Sequence, residues 1–390
     1  MTDKSKHIPQ GYKDSPLGII PKEWEVKRLG EFAPLQRGFD LPTDKIVRGE
    51  YPVVYSNGIL NYHYEYKAKG PGVVTGRSGT IGKVTFVESN YWPHNTSLWV
   101  TDFKGNNPKY VFHLYSFLDL SKFASGSGVP TLNRNDVHAS KFAIPPTHEQ
   151  NKIVEVLDFW DTAIEEQSEL IEKLKLRKRA LMQQLLTGKK RLPGFSGEWK
   201  HVPIKSFANE VSNRNVNGIN YIVLSCTKYD GLVPSLEYFG KQIYSNDLSS
   251  YKIIPQGHFA YATNHIEEGS IGYQSNYENG LISPMYTVFS TDNKMVDDTF
   301  LFAVLKSHHL IYLYQSMMEG SINRRGGLRW DTFSTIKIDL PPLREQKAIS
   351  AFLKDADKEI ELANKKLNNL QSQKRGLMQQ LLTGKKRISI

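Results

Sequence analysis

One eleven-residue string occurs twice in this chain. Leu181-Met182-Gln183-Gln184-Leu185-Leu186-Thr187-Gly188-Lys189-Lys190-Arg191 returns letter for letter as Leu377 to Arg387, and Lys178-Arg179 returns as Lys374-Arg375, all at an offset of 196. Chance does not produce such a run, so any fold has to place two copies of one element. The offset persists upstream, where Pro145-Pro146-Thr147-His148-Glu149-Gln150 matches Pro341-Pro342-Leu343-Arg344-Glu345-Gln346. A weaker echo pairs Glu23-Trp24 and Phe32-Ala33 with Glu198-Trp199 and Phe207-Ala208 at an offset of 175, so the intervening segments differ by 21 residues. Between these landmarks the halves share little alignable identity. The frame repeats while the contents differ, which fits two unlike readers in equivalent positions, or an old duplication with drift.

The repeated segments carry heptads. Ile153, Leu157, Trp160, Ile164, Gln167, Ile171, Leu174, Lys178, Leu181 and Leu185 alternate in steps of four and three, the seam of a coiled coil. The same offset gives Ile349, Leu353, Ala356, Ile360, Ala363, Leu367, Leu370, Lys374, Leu377 and Leu381. The Pro-Pro pairs fix the starts, and Gly188 and Gly384 beside basic residues fix the stops. From residue 147 to 186, at ~1.5 Å per residue, each helix would be about 60 Å long. Alone, each would leave its seam in water, so antiparallel pairing of the two copies is expected. The predicted fold is therefore mixed α/β: two globular domains joined by two long antiparallel coiled-coil helices, an internal repeat with pseudo-two-fold symmetry. Its boundaries fall at 1–146 and 192–342 for the globular bodies and at 147–191 and 343–390 for the helices. Lys178 and Lys374, at equivalent seam positions, read as register devices or snorkelling side chains ahead of DNA contacts.

The bodies carry short β-rich runs such as Val73-Val74-Thr75, Lys83 to Val87 and Tyr221 to Leu224, and short apolar helices at Tyr110 to Leu118 and Phe300 to Leu305. In the first body Gly76-Arg77-Ser78-Gly79-Thr80-Ile81-Gly82-Lys83 offers backbone amides and two cations; phosphate or base contact and a plain hairpin turn both fit it. It is not a P-loop, because Arg77 stands at the first glycine position and Val84 follows the lysine. The second body has a looser counterpart in Asn264-His265 and Gly269 to Tyr273, with Glu267-Glu268 between. A further polar loop precedes each Pro-Pro pair, containing Asn133-Arg134 in the first body and Asn323-Arg324-Arg325 with Arg329 in the second. Arginine grips guanine and asparagine grips adenine in a major groove, so the candidate DNA contacts are Arg37, Arg77, Ser78, Lys83, Asn133, Arg134, Asn264, His265, Tyr273, Asn323, Arg324, Arg325 and Arg329. Solvated surface arginine is the bland alternative for each.

A net charge of +10 suits a polyanionic partner without demanding one. The single cysteine, Cys226, excludes an internal disulfide framework and Cys-rich zinc sites, and is expected to be a small buried hydrophobe in a reducing, cytoplasmic compartment. Met1 to His7 lacks the apolar core of a secretory signal, and nowhere do ~18 apolar residues run together, so no membrane contact is expected. An adenine-methyltransferase element would need Asp/Asn-Pro-Pro-Tyr/Phe, whereas the nearest string, Asn107-Pro108-Lys109-Tyr110, is broken by Lys109. His-Glu-x-x-His, Gly-x-Ser-x-Gly and a dinucleotide fingerprint are missing, and His308-His309 reads as structural. Neither catalytic residues nor a metal site is expected; a binding subunit without chemistry of its own is.

The duplicated Pro-Pro-x-x-Glu-Gln start, the long helix, the Leu-Met-Gln-Gln-Leu-Leu-Thr-Gly-Lys-Lys-Arg end and the two unlike bodies together resemble the specificity subunits of type I restriction-modification systems. The likeness spans essentially the whole chain. It implies a DNA-recognition subunit that reads an asymmetric, two-part site on double-stranded DNA with residues near 20–146 and 195–342, the helices acting as a ruler of about one helical turn (~34 Å). It also implies two methyltransferase subunits as partners, with restriction subunits for cleavage. Met182, Gln183, Gln184, Met378, Gln379 and Gln380 are then partner-binding residues, or they simply close the coiled coil. No cofactor is expected in this chain, since the family's methyltransferases carry S-adenosylmethionine. The rivals are a specificity protein of a related multifunctional restriction or phage-defence assembly, a coiled-coil scaffold whose bodies bind proteins, and a hidden metal-dependent nuclease.

Overall fold

Each β-rich segment folds into sheets laid against short apolar helices. In the computed structural model, which describes residues 8–126, 130–319 and 327–388, the chain divides into two units. Unit 1 is Met1–Leu170 with Ala363–Ile390, and unit 2 is Ile171–Leu362.

Unit 1 runs β1 (Tyr12–Ser15), β2 (Gly18–Pro21), β3 (Glu25–Arg28), α1 (Leu29–Phe32), β4 (Leu35–Arg37), β5 (Tyr51–Tyr55), β6 (Gly58–His63), β7 (Gly72–Gly76), β8 (Val84–Val87), β9 (Trp92–Pro93), β10 (Ser97–Val100), α2 (Pro108–Phe117), β11 (Ala124–Ser125), β12 (Thr131–Leu132), α3 (Arg134–Ala139) and β13 (Lys141–Ile144). An antiparallel sheet has the order β4-β10-β7-β8, and a smaller one, β6-β5-β9, joins β5 to β9 in parallel. Strand β7 is buried throughout. Its side chains alternate as a strand's must: Val73 joins the cluster containing Tyr110, Val111 and Leu114 of α2, and Val74 joins Val54, Val87 and Tyr91 on the other face. Helix α2 starts where Asn107 accepts from the Lys109 and Tyr110 amides and Pro108 fills the first turn.

The long helices follow, α4 (Thr147–Leu185) first; α4 passes from unit 1 into unit 2 after Leu170. Unit 2 continues with β14 (Lys200–Pro203), β15 (Ala208–Val211), β16 (Ile222–Thr227), β17 (Gly231–Pro234), α5 (Ser235–Phe239), β18 (Lys252–Pro255), β19 (Phe259–Ala262), β20 (Ile271–Tyr273), β21 (Asn279–Ile282), β22 (Tyr286–Thr291), α6 (Asp298–Leu305), α7 (His308–Glu319), α8 (Trp330–Phe333), β23 (Lys337–Leu340) and α9 (Leu343–Leu381). Its sheets repeat the pattern of unit 1: β15-β22-β19-β20 is antiparallel, and β17-β16-β21-β18 joins β16 to β21 in parallel. Cys226 lies buried on β16, and burial pushes its thiol up to about 12.

Each long helix has 39 residues, and every predicted seam position is buried or half-buried. In unit 1 the Gln167 amide donates to the Ala363 carbonyl (3.0 Å), and Lys374 pairs with Asp161. In unit 2 Lys178 pairs with Asp357 and Arg177 with Glu359. Within each unit, contacts run in opposite senses along the two helices. Both seam lysines are thus held by carboxylates of the facing helix, which is how a register device works. The stops are as the glycines imply. Gly188 and Gly384 take φ of +67° and +68°, and the amides of Lys190 and Lys386 donate back to Gln184 and Gln380. Among the described residues no helix is long and apolar enough to cross a membrane.

Candidate nucleic-acid interface

In unit 1 the glycine-rich turn is the hub of a loop cluster. The Arg77 and Ser78 amides both donate to the Thr96 carbonyl (2.9 and 3.2 Å), while the Arg77 carbonyl accepts from the Leu132 amide (2.7 Å). Lys83 reaches the turn between β5 and β6, its Nζ donating to the Asn57 carbonyl (2.5 Å). These bonds bring Arg77, Ser78, Lys83, Asn133 and Arg134 together, with Lys83, Asn133 and Arg134 exposed. Asn133 spends its side-chain oxygen as the cap of α3, accepting from the Asn135 amide (3.0 Å). Arg37 stands exposed at the end of β4, 3.2 Å from Asp40, whose carboxylate also takes the Asn95 amide beside Thr96.

Unit 2 closes its loops the same way. Leu328, just before α8, donates to the Thr263 carbonyl (2.7 Å), so exposed Arg329 adjoins the turn that carries exposed Asn264 and His265. Gly327 makes this approach possible: its φ is +62°, and a Cβ there would lie 2.4 Å from the Thr263 oxygen. Tyr273 is not part of this cluster, contrary to the sequence reading. It pairs with Phe259 at the far end of β19 from the turn, and its hydroxyl donates to Asp298 on α6 (3.1 Å). Burial, with Asp298 adding to it, pushes that phenol up to about 12. Asn323, Arg324 and Arg325 lie outside the described residues. Glu267 and Glu268 share the turn with His265, whose Nδ1 is 3.8 Å from Glu268.

Two groups of side chains among the described residues have cation-ligand spacing, His265-Glu267-Glu268 and His113-Asp158-Asp161. The second is an ion-pair network, since Lys109 sits 2.7 Å from Asp158 and Lys374 pairs with Asp161. His308 and His309 lie exposed in the first turn of α7. At the helix ends, Gln183, Gln184, Gln379 and Gln380 are exposed. Met378 instead packs into the core of unit 1, and Met182 packs against that of unit 2.

The repeated landmarks are explained by contacts that the sequence did not reveal. In unit 1 the Glu149 carboxylate, 1% exposed, accepts from the Trp24 indole (2.9 Å) and from Arg387 (2.9 and 3.2 Å). In unit 2 Glu345, also 1% exposed, accepts from Trp199 (3.3 Å) and from Arg191 (2.5 Å twice). The hydrogen bonds and charges of Glu149 and Glu23 hold the Arg387 guanidinium above its ordinary range. The neighbouring glutamines repeat too. Gln150 accepts from the Asn107 amide and donates to the Pro145 carbonyl, and Gln346 does the same with Asp297 and Pro341. Every member is a letter of the repeat or a helix cap, and their recurrence was the signal available.

The comparisons with known proteins agree with this doubled architecture. The family described as the type I restriction modification DNA specificity domain matches residues 21–176 and again residues 200–372. The type I restriction enzyme MjaVIII specificity subunit of Methanocaldococcus jannaschii is similar at 23% identity over 95% of this chain and 94% of its own length. The crystal structure of the type I restriction-modification system S subunit from M. genitalium has a similar fold, with a TM-score of 0.55 at 13% identity, covering 92% of this chain and 96% of that one. A structure from work on complex assembly and conformational transition of the type I R-M system gives 0.59 at 14% identity, covering 94% and 99%. With one family match in each half of the repeat, the chain belongs to the type I restriction modification DNA specificity family, as a specificity subunit that recognises DNA sequence.

Proposed function

We propose that this specificity subunit reads an asymmetric site in two parts, one with each unit, and carries methyltransferase and restriction subunits to it without chemistry of its own. One observation carries the reading. Units 1 and 2 share a strand order and a way of closing loops, Leu132 onto Arg77 and Leu328 onto Thr263, yet present different side chains there. Arg37, Arg77, Ser78, Lys83 and Arg134 of the first face meet one half-site; Asn264, His265 and Arg329 of the second meet the other. Equal scaffolds with unequal surfaces suit unequal half-sites, and arginine or asparagine on base edges supplies the discrimination.

In this scheme residues 1–146 and 192–342 are the readers, and residues 147–191 and 343–390 form an antiparallel coiled coil that links them with pseudo-two-fold symmetry and sets the spacer. The exposed glutamines at the two helix ends offer similar docking surfaces to two methyltransferase subunits, which bring the S-adenosylmethionine. The similarity to a structure from work on type I complex assembly supports such partners. The test is methylome sequencing of a host expressing this chain with its neighbouring methyltransferase, against the same host lacking this gene. A two-part asymmetric methylated motif that vanishes on deletion is expected. Unchanged methylation would overturn the proposal.

A further inference from the structure

The hairpin between β16 and β17 turns through Lys228-Tyr229-Asp230, and Tyr229 leaves 79% of its surface exposed, more than any other large hydrophobic side chain among the described residues. The tip is nonetheless rigidly built. The Asp230 amide donates to Thr227 Oγ1 (3.0 Å), Thr227 Oγ1 donates to the Gly231 carbonyl (3.2 Å), and the Tyr238 hydroxyl donates to Asp230 (3.1 Å). Lys228 Nζ lies 5.4 Å from the centre of the Tyr229 ring.

Lys306, at the end of α6, ties this tip to the neighbouring turn. Its Nζ donates to the carbonyls of Lys228 and Gly269, 2.7 Å each, and Gly269 ends the turn that carries Asn264 and His265. Segments 227–231, 263–269 and 327–329 are therefore contiguous. Unit 1 has the corresponding tie, Lys83 onto the Asn57 carbonyl between β5 and β6. Holding an aromatic ring in water on a pinned turn has no packing benefit, and rigid exposed aromatics beside a binding surface are what strong contacts are made of.

We infer that the Lys228-Tyr229 tip is a second DNA contact of unit 2, with Tyr229 lying against a base edge or thymine methyl, and that Lys306 is its positioning residue. The inference rests on the reading that Asn264, His265 and Arg329 face DNA. It adds a specificity-determining residue outside every loop that the sequence patterns marked.

The experiment uses the chain assembled with its methyltransferase and scores methylation at the wild-type motif and at its single-base variants. Tyr229→Ala should lower discrimination about tenfold at positions in one half of the motif only. Lys306→Met should reproduce that loss and Lys306→Arg restore it, which a merely structural role would not predict. Should Lys306→Met fail to fold, exposed Tyr229 still carries the test. If Arg329→Ala relaxes the motif and Tyr229→Ala does not, this inference alone falls. If neither has an effect, the DNA-facing reading of the surface falls with it. If Tyr229→Ala instead reduces the methyltransferase recovered with the chain, the tip is a protein contact and the inference is overturned.

Discussion

Glu149 has no water to fall back on. Its carboxylate is buried against Trp24 and Arg387, and removing it leaves the Trp24 indole without its acceptor and the Arg387 guanidinium with the more exposed Glu23 as its remaining partner. Glu149→Ala should cost about 3 kcal/mol, toward the lower bound for breaking a buried pair because Arg387 keeps some solvent. Hydrogen exchange should place the loss in unit 1, and Glu345→Ala should place its loss in unit 2. Protonation offers a second handle on unit 1. Burial holds His94, His113 and His138 below the ordinary value of 6.5. The unfolded chain therefore takes up protons first, so their contribution is intact above about pH 6.5 and is lost as pH falls through the folded values. Asp298 in unit 2 has the opposite sign: burial raises its folded pKa, and acidification favours its folded form. Amide protection factors, with the intrinsic pH dependence of exchange divided out, compared at about pH 7.5 and about pH 5.5 should show unit 1 loosening. None of these contacts could be read from spacing, because Trp24 and Arg387 approach Glu149 across 125 and 238 positions. Their letters were visible as repeats, but their chemistry was not. Tyr273 lies apart from the loop cluster for a related reason: pairing with Phe259 carries it to the other end of β19, and spacing does not show that register.

At the level of elements, the helices were legible and the sheets were not. A heptad states its own period, and Gly188 and Gly384 end their helices where the sequence placed them. A strand run such as Val73-Val74-Thr75 announces a strand but not its neighbours, so the order β4-β10-β7-β8 emerges only from long-range pairing. The polar loops were recognisable by composition; the hairpin tip at Tyr229 has no such signature. Helix α9 also contains an unforced weakness. Gly376 lies in its interior, exposed, where an added Cβ would meet nothing within 4 Å. Gly376→Ala should stabilise the helix by about 0.5–1 kcal/mol, read as a later urea midpoint in the exchange of nearby amides.

For the whole molecule, the net charge of +10 acts through phosphates rather than bases. Affinity for cognate and random duplex should both fall as salt rises, with log K linear in log salt, whereas their ratio should change far less. Arg77→Ala should weaken cognate binding and relax one half of the motif, as measured by competition between the two duplexes at fixed salt.

Unit 2 is one unbroken stretch of chain, whereas unit 1 needs a piece from either side of it. During synthesis the second reader has all its parts once Leu362 has emerged. Unit 1 waits, with Glu149 held by Trp24 alone, until Arg387, 238 positions downstream, leaves the ribosome. A stop codon between Leu362 and Arg387 would therefore leave unit 2 entire and unit 1 without the Arg387 partner of Glu149, a difference that limited proteolysis would read as cleavage confined to unit 1.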